Sequence, residues 1–103
     1  MRVTVPHNKG IEGAKREVER AVERLSTINF PGTVEFTGVE KRWEGTTMSF
    51  SLFVAIGPLR SPIRGFAFVT ERDITLDIDL PKLLTAIMPE RTIESKVRGL
   101  LGK

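Results

Sequence analysis

His7 is the only histidine in the chain, and there is no cysteine. Its imidazole is thus the one side chain whose ordinary titration lies near neutral pH. It stands where an expected strand gives way to an expected helix, a place where loops hold side chains near helix-terminal amides and where a general base or metal ligand is often found. No carboxylate is tied to it by spacing. A zinc site would have to be completed by scattered carboxylates, which zinc rarely uses alone, so the residue types favour a structural or solvent-exposed His7. Asp77 and Asp79 lie two apart on one face of an expected strand and could do acid–base work if one were desolvated. The simpler expectation is a solvated strand face, with Asp79 capping the helix that begins at Pro81. Lys41-Arg42-Trp43 pairs two cations with the only tryptophan, but the interleaved aromatics on which single-strand binders stack bases are missing. Gly10-Ile11-Glu12-Gly13 lacks the third glycine or the Lys-Ser/Thr of phosphate and dinucleotide motifs. The sequence therefore assigns no catalytic, cofactor-binding or metal-ligating residue and gives no support to an enzyme.

Composition narrows the classes further. The chain has 103 residues, of which 40% are hydrophobic and 28% charged, the profile of one ordinary globular domain spanning 1–103. The net charge of +3 is spread thinly: residues 1–52 carry 8 basic and 7 acidic side chains and 53–103 carry 8 and 6. Nucleic-acid binding calls for a basic stripe that displaces several counterions together, so it is disfavoured. Apolar runs fall far short of the ~20 residues that cross a bilayer, and the N-terminus lacks the apolar core of a secretory signal. A cysteine-free chain suits a reducing compartment, and the expected location is the cytoplasm.

The elements that must hold these residues follow from periodicity. Arg2-Val3-Thr4-Val5 alternates and stops at Pro6, which predicts an edge strand. Asn8 offers an N-cap, and Ile11, Ala14, Val18, Ala21, Val22 and Leu25 fall on one helical face. Val34 to Trp43 predicts a strand whose alternation slips by one at Gly38, as a bulge would cause. After a turn at Glu44-Gly45, the residues Met48, Phe50, Leu52, Val54 and Ile56 alternate cleanly and face the core. Gly57–Pro62 reads as a loop, followed by strands Ile63–Val69 and Ile74–Leu80. Short links favour an antiparallel meander. The C-terminal stripe of Leu83, Leu84 and Ile87 is broken near Pro89 and resumes at Ile93, Val97, Leu100 and Leu101, with Arg98 and Lys103 near the favourable C-terminal end. The expected fold is α+β, ordered β-α-β-β-β-β-α, with the last helix divided.

In the strand Ile63–Val69 both faces are apolar, with Ile63, Ala67 and Val69 on one and Phe66 and Phe68 on the other. A sheet covered on one side should not need both. Either the helices and loops reach round the sheet, with a satellite core beneath the Gly57–Pro62 loop, or Phe66 and Phe68, with Phe53 and Ala55, meet a partner.

The order of these features resembles the polyhydroxyalkanoic acid system family, also called polyhydroxyalkanoate granule-region proteins. The resemblance runs from Val3 to about Leu101. It rests on Pro6-His7 before the first helix with Ala14 and Val22, on Arg42-Trp43-Glu44-Gly45 with Met48 and Phe50, and on Gly65-Phe66-Ala67-Phe68-Val69. Ile74-Thr75-Leu76, Leu80, Leu83-Leu84 and Ile93-Glu94 complete the pattern. This chain departs from the usual shorter pattern by extra residues between Thr27 and Val39 and around Gly57–Pro62. The resemblance implies a role at the polyester storage granule or in its regulation, since members are often encoded near polyhydroxyalkanoate synthesis genes; it brings no reaction or catalytic residue. The order of elements also resembles a reduced helix-grip lipid-binding fold, an analogy of fold alone.

The expectation is a non-enzymatic accessory protein acting through apolar sheet surface. Phe53, Phe66, Phe68, His7 and Trp43 are the candidate binding or interface residues, and a homodimer, the granule surface or a granule protein the candidate partner. The alternative is a hydrophobic-ligand carrier or enzyme with a cavity between the final helix and the sheet and His7 or Asp77 at its rim.

Overall fold

A computed structural model describes residues 1–101 of the chain. Five strands form one sheet: β1 (Arg2–Pro6), β2 (Glu35–Glu44), β3 (Thr47–Ile56), β4 (Leu59–Val69) and β5 (Asp73–Asp79). Their spatial order is β1-β5-β4-β3-β2, with every neighbouring pair antiparallel. The last four strands are thus a meander, and β1 adds itself beside β5 as an edge strand. Helix α1 (Gly10–Arg24) ends in a 3-10 turn at Leu25–Thr27, while the C-terminal segment divides into a single turn α2 (Lys82–Thr85) and α3 (Glu90–Leu100). The α+β meander with a helix broken near Pro89 is therefore what the chain builds. Lys103 lies outside the described residues.

Both longer helices are amphipathic, and their apolar stripes are buried against one face of the sheet. Ala14, Val18, Ala21 and Val22 of α1 and Ile93 and Val97 of α3 meet Met48, Phe50, Leu52 and Val54 of β3, Ile63, Ala67 and Val69 of β4 and Ile74, Leu76 and Ile78 of β5. The strict period of two in β3 places its even residues in this core. Gly65, in the middle of β4, is opposite Phe50 on one side and Ile78 on the other. A Cβ there would stand 2.5 Å from Phe50 Cζ and 2.8 Å from the Asp77 carbonyl oxygen. The Phe50 ring thus fills the space that the glycine leaves.

Three local expectations are corrected. The chain 57–62 is not a loop: Gly57 and Pro58 alone turn the chain, and β4 already begins at Leu59. Gly57 supplies the positive φ of +57° that a tight hairpin needs at its first turn position. Pro62 is tolerated inside the strand because β5 pairs with β4 only from Arg64 onward, so at Pro62 no ladder bond is required on that flank. With no loop there, no satellite core forms beneath it. Lys9, not Asn8, occupies the N-cap of α1, without a side-chain bond. Asp79 ends β5, and the N-cap of α2 is Pro81 with no side-chain bond.

The bulge at Gly38 is present. Thr37 pairs with Phe53 and Glu40 with Ser51, so β2 takes three steps where β3 takes two. Gly38 absorbs the extra residue with φ +68°.

Candidate functional site

The face of the sheet away from the helices carries the apolar residues that the core does not use. Phe66 is 51% exposed and Phe53 38% exposed. Phe68 is half-buried and stacks on Phe66, with ring centroids 6.2 Å apart. The two share a face because they are two apart on β4. Phe53 stands apart from this pair, farther along β3: the Arg60 guanidinium lies over its ring at 4.2 Å, and a Cβ at the bulge glycine Gly38 would stand 3.4 Å from its Cδ2.

Beside the Phe66–Phe68 ridge lies a trough. Outward positions on β3 are small (Thr47, Ser49, Ser51), while the flanking strands raise Glu40 and Arg42 on one side and Arg64 and Phe66 on the other. The trough is open to solvent and has a volume of about 670 Å³. Among the described residues, Arg42 and Arg64 have no ion-pair partner, and the Ser49 and Ser51 hydroxyls form no hydrogen bond within the chain. These four groups are available donors. Asp77, on the same face, is 3.9 Å from Arg2.

Trp43 and His7 are not brought to this face. Trp43 pairs with Met48 on the helix side of β2, where its indole N–H donates to Glu19 Oε1 at 2.8 Å and the Lys15 ammonium lies 4.7 Å from the ring centroid. Lys41, two residues back, donates to Glu23 at 2.5 Å and to Glu19 at 2.9 Å. The Lys41 ammonium, then the Trp43 N–H, hold the Glu19 carboxyl below its ordinary 4.5; Glu23, then Glu19, hold Lys41 above its ordinary 10.5. Arg42 points the opposite way, so the run Lys41-Arg42-Trp43 is split across the two faces of the sheet.

His7 is bound at both ring nitrogens. The Lys9 backbone N–H donates to Nδ1 at 3.1 Å, which leaves Nε2 to donate to the Thr70 carbonyl at 2.7 Å. With the His7 backbone N–H donating to the Arg72 carbonyl, the residue fastens the start of α1 to the β4–β5 turn. Asp77 and Asp79 point outward from β5 without joining His7. Among the described residues no group of three or more His, Asp or Glu could hold a metal ion, and no helix is long and apolar enough to cross a membrane.

The gap between the C-terminal helices and the sheet, lined by Leu25, Phe36, Ile63, Leu84 and Ile93 among others, is about 20 Å³. A small-ligand site takes roughly 300 Å³ or more. The carrier reading lacks its cavity, and neither His7 nor Asp77 lines the gap.

Sequence reasoning missed Glu17, a carboxylate only 3% exposed on α1 that pairs with Lys9 at 3.1 Å. Its helical phase, three after Ala14 and four before Ala21, placed it on the buried stripe. It also missed the trough: the small outward residues of β3 were there to be read, but the walls that flank them come from the cross-strand register.

A family model described as "Putative polyhydroxyalkanoic acid system protein" matches residues 1–103. The chain belongs to this polyhydroxyalkanoic acid system family. Trp43 and Glu44 end β2 and Gly45-Thr46 make the turn into β3, Gly45 having φ +62°, while Gly65 to Val69 carry both the core packing and the exposed ridge. Neither a curated protein nor a solved structure matches the chain.

Proposed function

We propose that the protein is a non-enzymatic accessory protein of the polyhydroxyalkanoic acid system, acting in the cytoplasm by docking the outer face of its sheet on the polyester storage granule. The observation that carries this reading is the Phe66–Phe68 ridge, exposed on a face that no helix covers. Large apolar residues gathered on an open face mark interaction sites. A polyhydroxyalkanoate presents apolar side groups and ester carbonyls, which accept hydrogen bonds and donate none. The ridge suits the first, and the free donors of Ser49, Ser51, Arg42 and Arg64 suit the second.

Cosedimentation with amorphous polyhydroxybutyrate particles tests the proposal. Wild-type protein is expected in the pellet. Phe66→Ser should weaken binding by about 1–2 kcal/mol, on the order of tenfold, with unchanged circular dichroism. A folded Phe66→Ser protein that binds as well as wild type overturns the proposal.

A further inference from the structure

The ridge and the trough lie on adjacent strands. Phe66 on β4 is directly opposite Ser49 on β3, and the row they share runs Asp77, Phe66, Ser49, Arg42 across four strands. A twofold axis parallel to the strands and passing between Phe66 and Ser49 exchanges the two halves of this row. Applied to two copies set face to face, it seats the Phe66 of each in the Ser49 trough of the other and brings the Asp77 of each over the Arg42 of the other.

We propose that, away from a granule, two copies of the chain close on each other through this face, so that self-association masks the ridge and the granule competes with it. The inference rests on the docking reading above and adds how the site is regulated. The match is the self-complementary kind that an isologous interface requires: apolar ridge into trough and carboxylate against guanidinium. In a neighbouring row, Thr75 comes opposite Glu44, a hydroxyl facing a carboxylate. In another, Asp79 comes opposite Glu40, and Arg64, which has no ion pair among the described residues, stands beside Asp79 across β4 and β5 to offset the like charges. The axis overlaps the four strands β2 to β5, and these, about 4.8 Å apart and averaging about 30 Å long, present on the order of 600 Å² per copy before corrugation, which is at the low end of the roughly 1,200–2,000 Å² total of a specific interface.

Molar mass by light scattering over a concentration series, with and without polyhydroxybutyrate particles, tests this. Wild-type mass should double with concentration. Ser49→Phe fills the trough, so it should be monomeric at concentrations where wild type is dimeric, whereas Phe66→Ser should lose both the dimer and particle binding. Arg42→Asp should dissociate the dimer, and Arg42→Asp with Asp77→Arg should restore it. Circular dichroism checks that each variant folds, and the charge pair stands if Ser49→Phe does not. A wild type that stays monomeric yet binds particles overturns the inference and leaves the docking reading intact. A dimer that never binds particles overturns the docking reading. Dimerisation indifferent to folded Ser49→Phe and to the charge variants assigns the interface to another face and overturns the inference.

Discussion

Lys41 and Trp43 sit two apart on β2, so both turn toward α1, and that alternation decides their partners more than their chemistry does. Glu19 receives a hydrogen bond from each. Because its carboxyl is held below 4.5 in the folded state, its contribution to stability is fully present above that value and is lost as pH falls through the lower folded one. Lys41 is held above 10.5, so its contribution is complete below that value and lost as pH rises through the higher folded one. Between 4.5 and 10.5 both are in force. These groups are partly exposed, and solvent screening keeps the gain to about 1 kcal/mol or less. Urea unfolding followed by Trp43 fluorescence should therefore show Glu19→Gln less stable than wild type at neutral pH, the difference shrinking in acid. His7 makes a second test at this scale: with both ring nitrogens engaged, His7→Ala should cost about 1–2 kcal/mol of stability and leave particle binding unchanged. Equal stability of the two proteins would contradict a fastening role. That His7 lies in a strand–helix junction was readable from the sequence; its partner Thr70, 63 residues away, was not, since hydrogen bonds across the fold leave no local pattern.

At the scale of elements, β3 was legible because its alternation is unbroken, and α1 because six apolar residues share one phase. The β3–β4 hairpin was not. Gly and Pro content marks a loop when the neighbouring strand is unknown, and only the end of β5 pairing at Arg64 shows why Pro62 can sit within β4. Gly57 carries the turn, so Gly57→Ala should destabilise by about 1–2 kcal/mol, as an L-residue forced to positive φ does. Gly65 carries the close approach. The Asp77 backbone cannot retreat without breaking the β4–β5 ladder, and Gly65→Ala should cost roughly 1–3 kcal/mol, read as a lower denaturation midpoint with an unchanged slope. A Gly65→Ala protein as stable as wild type would show that Phe50 and the strand move aside freely.

For the whole molecule, the sequence showed that one strand was apolar on both sides, and the structure decides what that means: the helices lie on one face, and Phe66 is left on the other. Which residues neighbour it across the sheet depended on register, which the two-residue turns at Gly45-Thr46 and Gly57-Pro58 set together, so the trough between Arg42 and Arg64 could not be located from spacing alone. The central claim is that this outer face, not the helical one, meets the granule. Hydroxyl-radical footprinting on polyhydroxybutyrate particles, with mass spectrometric readout of Phe66, Phe68 and Trp43, tests it most directly. Docking through the outer face predicts strong protection of Phe66 and Phe68 beyond that seen in the particle-free protein, with Trp43 labelled as before; protection of Trp43 with Phe66 and Phe68 unchanged would contradict it.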